Sequence, residues 1–117
     1  MPERLSLLVK IFRIEFEEAE NDIQALMDYY SSRFENLEIT PYVWQENRAL
    51  LLKEVSCIKE LEVDLRDWVP PEDKTDILAA LHSLKSYLQD LVAKYDYPEV
   101  VNIVIDRISE KVSRYIE

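Results

Sequence analysis

The sequence predicts an all-α fold, an antiparallel bundle of four amphipathic helices. Three observations carry that expectation. The 117 residues include no glycine, and glycine is the usual provider of the positive φ angles that hairpin turns, bulges and phosphate-cradling loops need. Apolar residues recur in steps of three and four through most of the chain, the period of a helix that buries one face. The five prolines all fall near the start of the chain or at the joints between such stretches.

The first helix is predicted over residues 3–36, since a proline and an acid suit a first turn. Its core stripe reads Leu5, Leu8, Phe12, Phe16, Ala19, Ile23, Leu26, Tyr30, Phe34 and Leu37. At ~1.5 Å per residue it is roughly 50 Å long, long for a domain of this size, so it either kinks or meets another chain with its excess apolar surface. Thr40-Pro41 starts the second helix, 41–68, with a hydroxyl as N-cap and proline in the first turn. Its core face holds Trp44, Leu51, Val55, Ile58, Leu65 and Trp68, widened by Leu50 and Leu61. Val69-Pro70-Pro71 ends it, because a residue before proline is pushed out of the α region.

The third helix, 72–95, has Asp73 and Thr75 as candidate caps. Its stripe of Ile77, Leu81, Leu84, Leu88, Leu91 and Tyr95 steps four, three, four, three, four. The fourth helix, 98–116, follows Asp96-Tyr97-Pro98 and uses Val101, Val104, Ile105, Ile108, Val112, Tyr115 and Ile116. Residues 12–17 alternate with period two and 100–105 are β-branched, so both could be strands in isolation. Each sits inside a longer helical pattern, and the helical period is preferred.

Composition bounds the function. With 48% hydrophobic and 32% charged residues and a net charge of -10, residues 1–117 read as one folded domain rather than a disordered chain. The lack of glycine excludes dinucleotide-binding and P-loop fingerprints, which are defined by glycines. Cys57 is the single cysteine, so no intramolecular disulfide forms. The N-terminal apolar run is broken at Lys10 and Arg13, and no stretch reaches the roughly 20 apolar residues that span a bilayer. A cytoplasmic protein is expected, with no membrane contact. The acidic balance and the dispersed basic residues argue against nucleic acid, whose phosphates demand a basic face.

One carboxylate set could carry chemistry. Glu15, Glu18 and Asp22 fall on one flank of the first helix at i, i+3 and i+7, a spacing that could hold Mg²⁺ or Mn²⁺ through oxygen ligands. A di-iron bundle also needs Glu-x-x-His, and Ala79 stands three residues before the only histidine, His82. All-helical nucleotide pyrophosphohydrolases carry Glu-Glu-x-x-Glu and a later Glu-x-x-Asp. Glu17-Glu18-Ala19-Glu20-Asn21 lacks the last acid, and no Glu-x-x-Asp follows. Cys57 and His82 both lie beside core positions, so neither is assigned a catalytic role, and no cofactor is expected.

The expected function is therefore non-catalytic binding of a protein partner, one with a basic surface. Glu17, Glu20 and Asp28 are predicted to face outward with Tyr29, and these four form the candidate contact set, since tyrosine is enriched in interface hot spots. Tyr42, Trp44, Trp68, Tyr95 and Tyr97 lie near helix ends, where aromatics close a core. The excess length of the first helix adds the expectation of a homodimer through helices one and two. A metal-dependent enzyme of the pyrophosphohydrolase kind, or a purely structural self-associating protein, is the alternative.

Overall fold

The computed structural model describes residues 3–70 and 76–116, and it is helical almost throughout. Helix α1 spans Glu3–Glu35, α2 Pro41–Asp64, α3 Ile77–Lys94 and α4 Glu99–Ile116, with no strand among the described residues. Successive helices run up, down, up, down. Tyr87 Oη donates to the Asp64 carbonyl at 2.8 Å, Gln89 to Asp106 at 3.0 Å and Lys111 to Glu15 at 3.1 Å, tying α3 to α2, α4 to α3 and α4 to α1.

The joints follow from local chemistry. Thr40 caps α2 by accepting from the Val43 N–H, with Pro41 next in sequence. Asp76 does the same for α3, accepting from the Ala79 N–H at 2.8 Å. It stands in place of the expected caps Asp73 and Thr75, which lie outside the described residues. After α2, a 3₁₀ turn at Leu65–Asp67 tightens the chain, and Trp68 is already extended at ψ 127. The second helix therefore stops at Asp64 rather than at Trp68, although Trp68 still buries its ring in the core.

Both α-hairpins turn on residues with positive φ, Leu37 at 60° and Asp96 at 53°. In each, the N–H three places past the helix reaches back five residues. Glu38 donates to the Arg33 carbonyl at 2.9 Å, and Tyr97 to that of Val92 at 3.0 Å. This is the helix-ending motif that normally uses glycine. A chain without glycine places aspartate in one and leucine in the other.

The core lies at one end of the molecule. Phe12, Phe16, Leu61, Ala80, Leu84, Leu88, Val101, Ile105 and Val112 are fully buried. No buried member of this cluster lies between Phe16 and Cys57. The reason is length. The 33 residues of α1 extend beyond helices of 18 residues. Residues 24–53 of α1 and α2 thus continue past α3 and α4 as a two-helix arm, and the molecule measures 58 × 28 × 18 Å.

The arm has its own thin seam. The Phe34 and Trp44 rings stack at 4.7 Å, the Trp44 indole donates to Ser31 at 3.3 Å, and Met27 and Leu51 are buried. Here three positions differ from the expected stripes. Leu26 is 41% exposed and Leu50 57%, because two helices bury only a narrow line of contact. Met27 takes the inward place, and Leu37 leaves the helix at the turn and is exposed. At the other end of the bundle Tyr115 is exposed too.

Candidate functional site

The carboxylates Glu15, Glu18 and Asp22 do meet on one cleft, of about 270 Å³, where α1 and α2 face α4. Glu54 of α2 and Arg107 and Lys111 of α4 complete its polar lining. A cation is already present among the acids. Lys111 Nζ lies 2.6 Å from Glu15 Oε1 and 3.9 Å from Glu18 Oε2, and the hydrogen bond it donates to Glu15 holds the lysine pKa above its ordinary value. Asp22 is exposed. Glu54 is half-buried, and burial alone pushes its carboxyl pKa up. Among the described residues, no three His, Cys, Asp or Glu side chains converge closely enough to hold a metal ion. Two of the three acids, Glu15 and Glu18, thus face a lysine of the chain itself.

The opposite flank of the α1–α2 hairpin carries a second group of charges, with Arg13, Lys59, Glu62 and Arg66 around a shallow cleft. Glu20 was expected to face outward, but it is half-buried against α2. It follows Phe16 by one turn of α1 and sits next to Ala19, close enough to the core line for its carboxyl to meet Glu62. Glu62 Oε1 is buried with no donor against it. Two carboxyls can bond only when one keeps its proton. Burial, then the Glu20 carboxyl and the Glu17 charge, push Glu62 up to about 7, and Arg13 only partly offsets them.

The other three contact candidates are solvated. Glu17, Asp28 and Tyr29 are exposed, with Gln24 donating to Asp28 at 3.0 Å and the Arg33 guanidinium 5.7 Å from the Tyr29 ring centre. They do not share one patch. Asp28 and Tyr29 are successive, so about 100° of helix separates them. Glu17, Asn21, Gln24, Asp28 and Glu35 form an exposed outer ridge with no basic side chain on it. Tyr29 instead continues the flank of Asp22 and Leu26, three and four residues apart.

His82 is exposed on α3. Cys57 is a buried free thiol, pushed up in pKa by burial and by Glu60, which makes it a poor nucleophile. The Tyr97 hydroxyl hydrogen-bonds Glu60, and burial with that bond holds its pKa above the ordinary tyrosine range.

What sequence reasoning missed is the arm. Seven of the fifteen large apolar side chains exposed among the described residues are on it: Leu26, Tyr29, Leu37, Tyr42, Val43, Leu50 and Leu52. Its signal was available in the helix lengths, since two long helices precede two short ones. No helix among the described residues is long and apolar enough to cross a membrane. The chain matches no family model, no curated protein and no solved structure.

Proposed function

We propose that the protein is a non-catalytic interaction module that holds a basic protein partner against the outer ridge of α1. The cytoplasm, where a lone buried thiol stays reduced, is its proposed place of action. The observation that supports this reading is the ridge itself. Glu17, Asp28 and Glu35 stand exposed along one helix face with only uncharged polar side chains between them. A net charge of -10 reinforces their field and draws basic partners from solution.

The experiment is affinity capture with the whole chain as bait, compared with Glu17→Lys, Asp28→Lys and Glu35→Lys together. All three side chains are exposed, so the helical circular dichroism and melting temperature are expected to stay within the range of surface changes. A partner captured by the parent chain, lost from the variant and released by salt supports the proposal, because screening weakens exposed charge pairs. Capture that survives both treatments contradicts it.

A further inference from the structure

The arm leaves one flank of α1 and α2 without cover. Near its root that flank is the wall of the cleft against α4, lined by Asp22, Ile23 and Glu54 together with Val100. Beyond it the same flank continues through Leu26, Tyr29 and Arg33 on α1, at steps of three and four from Asp22. On α2 it continues through Leu50 and Val43, at steps of four and seven from Glu54. Leu26, Tyr29, Val43 and Leu50 are all exposed there. Between root and tip this flank carries two charges, Arg33, already paired with Glu38 at 3.2 Å, and the exposed Glu46 between Leu50 and Val43. In a chain with 32% charged residues, a face with four exposed apolar side chains and so few charges calls for an apolar cover.

We infer that a second copy of this chain covers that flank, arm against arm, in a two-fold antiparallel pair. Three features of the molecule favour a copy over another occupant. The first is shape. The α3–α4 layer ends where the arm begins, leaving a step one layer deep, and the arm of another copy is itself such a layer of matching length. The step also fixes direction. Parallel arms would drive one copy's α3–α4 layer into the other's helices, whereas antiparallel arms place each tip at the other's step. There the tip residue Leu37, 89% exposed, meets the corner that carries Tyr95, 50% exposed.

The second feature is area. The uncovered stretch is about 12 residues, ~18 Å, and two helices are ~20 Å across, so each copy offers a flat face of ~360 Å². Two such faces with their side-chain relief, and two tip-to-step contacts, bring the total near the ~1,000 Å² that a specific pair needs. The third is charge. A basic partner has little to pair with on this flank, because Asp22 and Glu54 stand at the root and Glu46 is the single unpaired acid beyond them. The pair opposes two chains of charge -10, so it is of modest affinity and strengthens with salt. The ridge contact described above weakens with salt, so the two can fail separately.

Sedimentation equilibrium of the whole chain tests the inference. The mass is expected to rise from 13.9 kDa toward twice that value over a range of about 5 to 200 µM, and to rise further with salt as repulsion between the acidic chains is screened. Leu26→Glu and Leu50→Glu, on different helices and exposed in the single chain, are each expected to weaken the pair about tenfold or more, since the two-fold axis sets like charges close together. Ile103→Glu, equally exposed but on α4, leaves it unchanged. A constant mass of 13.9 kDa overturns the inference, as does a dimer that neither arm variant weakens. A monomer that still captures a salt-sensitive partner through the ridge overturns the pair alone and leaves the proposed function standing.

Discussion

Glu62 shows how a single side chain can set the pH response of the hairpin. Its carboxyl sits at about 7 in the folded chain against an ordinary 4.5. Between those values the folded chain holds a proton that the unfolded chain has released. Stability from this group is therefore greatest below the window and is lost as pH rises through 7. The melting temperature is expected to fall from about pH 5 to pH 8, and Glu62→Gln to raise it at pH 8 and flatten the profile. A variant profile parallel to the parent's contradicts this origin. The sequence made Glu17 and Glu20 equivalent outward acids, and helical angle alone could not separate them. What distinguishes Glu20 is the acid it meets on α2, a pairing 42 positions away that no local pattern encodes. The set Glu15, Glu18 and Asp22 was legible as one flank, but the Lys111 that crosses from α4 was not. Because Lys111 already occupies the acids, millimolar Mg²⁺ or Mn²⁺ is expected to leave the melting temperature unchanged. A rise on adding either ion would show binding to the folded state and support the metal reading instead.

At the scale of the elements, helix positions were legible because each start has its own chemistry in the sequence. Thr40-Pro41 marks α2 and its expected cap forms as a hydrogen bond, whereas the cap seen on α3 is Asp76 and not one of the two residues expected. The turn at Leu37 was not legible. Leucine gives no sign of a left-handed conformation, which costs an L-residue ~1–2 kcal/mol. Leu37→Gly removes that cost at the expense of greater freedom in the unfolded chain, and is expected to stabilise the protein by roughly 0.5–1 kcal/mol. The midpoint of urea unfolding reads this directly, and a lower midpoint contradicts it. If the tip also contacts a second copy, the same substitution weakens that contact while it stabilises the single chain. The core stripes held where four helices meet, except at the end residues Tyr95 and Tyr115, and on the arm they failed at Leu26, Leu37 and Leu50. Phe12→Ala, at a fully buried site, is expected to cost ~3–5 kcal/mol. Leu52→Ala, on the arm and 42% exposed, should stay within about 0.5 kcal/mol.

The whole molecule is a short four-helix bundle with half of its first hairpin left over. The excess length of the first helix pointed to that imbalance, but a kink could have absorbed it equally well. Only the tertiary arrangement shows one helix continuous from Glu3 to Glu35, with α2 beside it as far as the turn. The arm then offers two surfaces of different character, an acidic ridge outside and an apolar flank beside the step. A chain that stabilised itself alone would have little use for either. Hydrogen exchange at low and high protein concentration tests this account most directly, since local opening reports how well each segment is covered. Amides of residues 24–53 are expected to exchange more slowly at high concentration, while those of the Leu81–Val92 stretch in α3 do not change. Exchange independent of concentration throughout the arm, or protection that grows only on α3 and α4, would contradict it.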